Sequence, residues 1–240
     1  DANLRNVAPE QALGGRGWTN YDWHGDLPPG HPMVTGIQTF DLDISDFRAA
    51  KLMIFLGKNM VENKMPEAHW WIELIERGGK IVNISPEYSP ASQKADYWVP
   101  IRPGTDTALL LGVAKILIDD KLYDEAFVKR FTDLPILVRT DTLTRLDPAD
   151  VFPGYEKGLR PDGPSFAEQG LTPEDYERLH DFVVWDRTAG PTPLTRDDVG
   201  ERMRADPVLE GRFTVRLLDG TRVEVAPLFE LYRQHLRDYD

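Results

Sequence analysis

The sequence predicts an α/β fold built on a parallel sheet, and three features predict it. Two short strand-like runs, Leu52-Met53-Ile54-Phe55-Leu56 and Lys80-Ile81-Val82-Asn83-Ile84, both read as buried strands. Between them, Pro66 to Arg77 reads as a helix, with Pro in its first turn, Glu67 near its positive end and Gly78-Gly79 as its stop. Strand, helix and strand over about 35 residues make a βαβ unit, which implies parallel pairing and a right-handed crossover.

Composition bounds what this fold can be. At 240 residues the chain is one large domain or two small ones. Its 28 basic and 40 acidic side chains give a net charge of −12, which argues against a nucleic-acid face, since a phosphate backbone needs a basic stripe. The longest apolar stretch, Leu109 to Ile118, is broken by Lys115, so no membrane span is expected. Absence of cysteine excludes disulfides, a thiolate nucleophile, a cysteine zinc site and a self-contained iron–sulfur cluster. The chain opens on Asp1 rather than Met and closes just after a helical pattern, so a segment of something larger is expected.

The remaining elements follow in order. Residues 1–50 are rich in Gly, Pro, Trp and His with weak periodicity, and read as an ordered, site-forming irregular segment. Tyr97 to Ile101 is a short extended piece whose Pro100 suits a strand end or edge. Asp106 to Ile118 reads as a helix that Ala108, Leu109, Leu111, Gly112, Ala114 and Leu117 make largely apolar, hence well buried. Tyr123 to Phe131 reads as an amphipathic helix. Beyond about residue 145 lysine nearly vanishes and Asp, Arg, Gly and Pro dominate, which marks residues 147–240 as an acidic, loop-rich α+β subdomain or insertion. There, 147–170 reads as a long loop, Thr172-Pro173 opens a helix, and Thr214–Leu218 with Thr221–Val225 flank Asp219-Gly220 as a two-residue hairpin. A helix from Pro227 to Tyr239 closes the chain.

Candidate chemistry gathers where ligand loops belong, beyond the carboxyl ends of parallel strands. Gly57-Lys58-Asn59 follows the first strand and Ser85-Pro86-Glu87-Tyr88 the second, while Pro103-Gly104-Thr105-Asp106 opens the apolar helix. Glycine lets a backbone approach a ligand, and a helix start offers N–H donors beside a carboxylate able to grip a guanine or ribose edge. Each turn alone is as easily a plain cap, but three together point to a nucleotide edge. No Walker loop and no GxGxxG is present. The other concentration is Tyr21-Asp22-Trp23-His24-Gly25-Asp26-Leu27-Pro28-Pro29-Gly30-His31-Pro32, where prolines stiffen a loop carrying carboxylates beside imidazoles. That suits a metal or acid–base role, with a tight turn and packing histidines as the plainer reading.

These residues together carry a resemblance. Tyr21 to Pro29 followed by Gly36-Ile37-Gln38-Thr39 resembles the active-site segment of the aspartate-ligated branch of the dimethyl sulfoxide reductase family, typified by the catalytic alpha subunit of respiratory nitrate reductase. Gly57–Asn59, Met65–His69, Ser85–Tyr88, Ala95–Val99, Gly104–Asp106 and Phe131–Pro135 follow in the same order, so the likeness covers roughly residues 15–145. It departs in having His24-Gly25 just before Asp26, where bulkier pairs are common.

The resemblance implies a Rossmann-like core over residues 51–146 that binds molybdopterin guanine dinucleotide. It implies molybdenum, or tungsten in its place, held between two such dinucleotides, with an iron–sulfur cluster outside this segment. Asp26 matches the metal ligand, and His24 and His31 are candidates to orient it or pass protons, with structural packing an equal alternative for each. Gly57, Lys58, Asn59, Ser85, Pro86, Glu87, Tyr88, Gly104, Thr105 and Asp106 match the cofactor-binding loops. Expected partners are a small oxyanion, the remaining domains of the catalytic subunit, an iron–sulfur electron-transfer subunit, and a membrane anchor or cytochrome subunit. The cytoplasmic face of a prokaryotic membrane and the periplasm both agree with it. The implied activity is oxygen-atom transfer on nitrate or nitrite. Selenate, chlorate and perchlorate reduction and ethylbenzene-type hydroxylation are alternatives within the branch. Two readings of other classes stand beside it: a non-catalytic scaffold keeping the fold, which has no need of Asp26 or Gly104, and a hydrolase using Asp22 with Asp26.

Overall fold

The computed structural model describes residues 30–35, 43–63, 65–155, 181–195 and 198–239. The chain divides into two compact units at Pro103/Gly104.

In the first unit, α1 (Gly30–Thr35) and a 3-10 turn (Ile44–Ala49) precede β1 (Leu52–Leu56), α2 (Met65–Glu76), β2 (Lys80–Ile84), α3 (Pro90–Lys94) and β3 (Tyr97–Val99). The strands form one parallel sheet in the order β1-β2-β3, with Leu56 beside Ile84 and Ile84 beside Val99. The βαβ expectation is met in its parallel pairing. The stop of α2 is built as its glycines predict: Gly78 has φ +83°, and the Gly79 amide donates to the Leu74 carbonyl at 2.9 Å. A Cβ at position 79 would fall 2.4 Å from Leu74 Cδ2, so only glycine fits there. The helix packs Trp71 and Leu74 onto Phe55 and Ile81, with Phe55 and Trp71 edge to face at 6.3 Å. At the opposite end of the sheet, Asp96 ties β2 to β3. It accepts from Lys80 Nζ at 2.6 Å and from the Ile81 amide at 2.9 Å, and these bonds hold its carboxyl below the usual carboxylate range.

One expectation here is corrected. β1 is buried on one face only: Phe55 is buried, whereas Leu52, Ile54 and Leu56 are about half exposed. Alternation and register put those three with Val82, Ile84, Tyr97 and Val99 on the face opposite α2. A continuous apolar run states that both faces need cover, and the described residues of this unit supply it to only one.

The second unit contains α4 (Asp106–Asp119), α5 (Glu125–Phe131), β4 (Leu137–Arg139), α6 (Pro148–Val151), β5 (Phe182–Asp186), β6 (Gly190–Leu194), a 3-10 turn (Gly200–Arg202), β7 (Phe213–Arg216), β8 (Arg222–Pro227), α7 (Leu228–His235) and a closing 3-10 turn (Leu236–Asp238). β4, β8 and β7 form an antiparallel sheet, and β5 and β6 a hairpin. Leu137, Leu146, Val183, Val215, Val223 and Val225 make the core, and Trp185 stacks on Phe213 at 4.0 Å. The observed class is therefore mixed α/β, with one parallel and two antiparallel sheets among the described residues.

Here too the structure revises the sequence reading. No residue of α4 is buried, and Leu110, Val113, Ile116 and Leu117 are 42–57% exposed. The apolar surface is real, but the described residues of this unit do not cover it. β4 pairs with β8, so residues on both sides of the compositional change near 147 share one sheet of the second unit. Residues 148–151 form a helical turn rather than loop, because Asp147 caps the Ala149 amide at 2.8 Å and Pro148 suits the first position. The Asp219-Gly220 hairpin closes with three residues instead of two. Leu217 exchanges bonds with Gly220 and Thr221, and Gly220 sits at φ +90°. The helix expected at Thr172 lies outside the described residues. β5 and β6 escape sequence reading because Pro191 and Pro193 sit in β6, which tolerates them as an edge strand.

Asp186 knots that hairpin to the rest of the unit. Its carboxylate accepts from the Thr188 amide and hydroxyl at 2.8 Å, the Ala189 amide at 2.9 Å and the Asp206 amide at 2.7 Å. Those donors, the Ala189 amide foremost, hold the group far below the usual carboxylate range. A lowered carboxyl stabilises the fold fully above its unfolded value, about pH 4, and loses that contribution as pH falls through the folded value. Hydrogen-exchange protection at the Thr188, Ala189 and Asp206 amides is therefore expected to survive well into the acid range. In Asp186→Asn, whose amide nitrogen cannot accept from Asp206, the Asp206 amide should lose protection at neutral pH. Unchanged protection there would contradict this account.

Candidate functional site

The first two loops singled out in the sequence lie side by side. Gly57–Asn59 leaves β1 and Ser85–Tyr88 leaves β2, adjacent parallel strands, and the Gly57 amide donates to the Ile84 carbonyl at 2.9 Å. Ser85 is held in turn by its amide, which donates to the Val99 carbonyl at 3.1 Å. Loops lined up at the carboxyl edge of a parallel sheet are the arrangement from which α/β proteins build nucleotide sites.

Gly57 earns its place by conformation, with φ +60° and no heavy atom within 4 Å of where a Cβ would stand. The backbone after it is open, and the Lys58 and Asn59 amides have no partner among the described residues. The two side chains are spent locally: Lys58 Nζ pairs with Glu67 Oε2 at 3.1 Å, and Asn59 bonds both the Glu62 carboxylate and the Glu62 amide. In the second loop, Ser85 Oγ accepts from the Glu87 amide at 3.2 Å, which leaves the exposed Glu87 carboxylate without a partner among the described residues. Tyr88 is exposed and meets Trp98 edge to face at 5.0 Å.

The third turn belongs to the second unit. Gly104 has φ +85° with open space beside it, Thr105 is the N-cap of α4, and Asp106 is exposed in its first turn. The Asp106 carboxylate has no partner among the described residues. Asp26, His24 and Asp22 lie outside the described residues, and His31 is the second residue of α1. Among the described residues no cluster of three or more His, Asp or Glu could hold a metal.

Open amides suit phosphate oxygens, and unpaired carboxylates suit ribose hydroxyls and guanine N–H groups. Within the first unit, the open amides after Gly57 and the Glu87 carboxylate are groups of the kind that a nucleotide's phosphates and hydroxyls take. Sequence reading missed the supports beneath the loops, Asn83, Ser92 and Trp98. Only Asn83 left a trace, as an amide inside an otherwise apolar run.

Residues 10–212 match the family described as Molybdopterin oxidoreductase. The chain belongs to the molybdopterin oxidoreductase family, and membership implies molybdenum with a molybdopterin cofactor. Among its relatives, the perchlorate reductase alpha subunit of Dechloromonas aromatica is 34% identical over 93% of this chain and 24% of its own length. The respiratory nitrate reductase alpha subunit of Haloferax mediterranei is 34% identical over 95% of this chain and 22% of its own. The dimethylsulfide dehydrogenase alpha subunit of Rhodovulum sulfidophilum is 30% identical over 90% and 21%. The chain thus spans about a quarter of the length of these relatives.

Proposed function

We propose that this chain is the part of a molybdenum oxidoreductase catalytic subunit that grips one of two molybdopterin guanine dinucleotides and supplies the metal with its protein ligand. The observation that supports the reading is that Gly57–Asn59 and Ser85–Tyr88 leave adjacent parallel strands on one edge of the sheet, where a Rossmann-like site would hold a nucleotide. When bound, the metal–pterin group supplies a two-electron centre for moving an oxygen atom to or from a small oxyanion. The protein's part is to hold and orient it. Gly57 keeps the backbone clear, the Lys58 and Asn59 amides donate to phosphate oxygens, and Glu87 accepts from ribose or guanine donors. Gly104, Thr105 and Asp106 are assigned to cofactor binding by the resemblance. Asp26 offers a hard carboxylate oxygen to a high-valent metal. His24 and His31 orient that carboxylate or hold a proton beside it. Electrons would pass between the metal and a partner subunit through iron–sulfur clusters outside this segment, toward the metal when an oxyanion is reduced.

Equal identity to a perchlorate and a nitrate reductase subunit supports an oxyanion substrate class rather than nitrate alone. The deciding experiment is elemental mass spectrometry for molybdenum and tungsten on the native complex, with guanine nucleotide measured after denaturation. The expected result is one metal atom per chain with guanine released. A screen of nitrate, chlorate, perchlorate and selenate against a reduced dye then selects the substrate. Intact complex lacking both metal and guanine would leave a scaffold that keeps only the fold.

A further inference from the structure

One cross-strand row lies directly beneath the strand-end loops. Phe55 on β1, Asn83 on β2 and Trp98 on β3 are register partners, and alternation turns them to the same face of the sheet. Phe55 belongs to the core. The other two are unusual for such a row. Asn83 is fully buried, and its Oδ1 has no partner among the described residues, a cost that valine in its place would not carry. Trp98 is the reverse, a large ring left 36% exposed on an edge strand. Neither is explained by packing.

Both reach one loop, Trp98 directly and Asn83 through Ser92 of α3. Trp98 Nε1 donates to the Ser85 carbonyl at 3.1 Å, and its ring meets Tyr88 edge to face. Asn83 Nδ2 donates to Ser92 Oγ at 2.7 Å. That hydroxyl donates to the Glu87 carbonyl at 3.4 Å and accepts from the Ser89 amide at 3.2 Å, so its donor and both acceptor positions are used. Ser85, Glu87, Tyr88 and Ser89 are each tied to this row.

We propose that Trp98 is a positioning residue for the nucleotide, with the Asn83–Ser92 pair as its counterpart: they hold Ser85–Tyr88 in the shape that presents the Glu87 carboxylate to the guanosine. This rests on the reading that the sheet edge takes the dinucleotide. An irregular loop that must be ordered on binding loses affinity to its own entropy, and anchoring it beforehand removes that loss. Trp98 acts through the loop and need not touch the nucleotide.

The test uses the complete catalytic subunit with its partners. Trp98→Leu removes the N–H and the ring contact, Trp98→Phe restores the ring alone, and Ser92→Ala cuts the second anchor. Two quantities are read: amide hydrogen exchange over residues 85–89, and the rate of guanine nucleotide release on mild heating. Exchange should quicken in all three variants. Release should be about tenfold faster in Trp98→Leu, the loss expected for one hydrogen bond and one aromatic contact together, with Trp98→Phe intermediate. If Trp98→Leu fails to assemble, Trp98→Phe and Ser92→Ala decide by the same readings. Quickened exchange with wild-type release would make the row a structural brace and overturn the proposal, and so would unchanged exchange. A wild-type complex that releases no guanine would refute the dinucleotide reading itself, and this proposal with it.

Discussion

Asp26→Ala in the complete catalytic subunit is expected to abolish turnover. Changing the residues that merely orient a metal ligand typically costs about 10–100-fold in affinity or activity, so removing the ligand itself should cost more than about a thousandfold. The alanine methyl offers the metal no donor, and a replacing water would lack the covalent tether and the charge of a side-chain carboxylate. Guanine nucleotide should still be found, because Asp26 is not among the residues assigned to the dinucleotide. The molybdenum paramagnetic-resonance signal should change shape, and Asp26→Glu should recover part of the activity. Full turnover at normal metal content in Asp26→Ala would remove Asp26 from the site. His24→Ala and His31→Ala should show the smaller, orienting-residue loss.

Trp71→Ala is expected to be the most damaging single change in the first unit. Trp71 is 1% exposed and wedges α2 against β1 through Phe55. Truncating such a ring costs about 3–5 kcal/mol, a large share of the stability of an ordinary domain. The damage should spread to function, because α2 also carries Glu67, whose pairing with Lys58 steadies the loop after β1. Trp71→Phe should cost far less than the alanine: it keeps an aromatic ring and removes an indole N–H that is buried without a partner among the described residues. Hydrogen exchange of the β1 and β2 amides in the assembled subunit distinguishes the two. An alanine variant no more labile than phenylalanine would show that α2 is held by other contacts.

The local elements were legible in proportion to how local their causes are. α2 is declared by Pro66, Glu67 and the two glycines, and it forms within a residue of the expected bounds. Gly57 and Gly104 both carry the positive φ that makes glycine the suitable residue at their turns. α5 starts where Asp124 can accept from the Phe127 amide at 3.0 Å. The family, too, was readable from the order of the short motifs along residues 15–145. Asp26 and His24 stand in the part of the reading that the described residues do not reach.

Burial and partnership were not legible, because they depend on residues far away in the chain. The apolar surface of α4 and the alternate face of β1 look identical in sequence to buried ones, since hydrophobicity states a need for cover and not what supplies it. β4 is three residues long, and its ladder partner β8 lies some ninety positions on. β6 forms through two prolines because its free edge needs no donors from them. The amino-acid sequence by itself determined α2, α4, α5 and α7, the glycine turns at 57, 78 and 104, and the family. Strand pairing, the open faces and the Asn83–Trp98 row beneath the loops were decided by the tertiary structure, since only folding sets which distant side chains share a face.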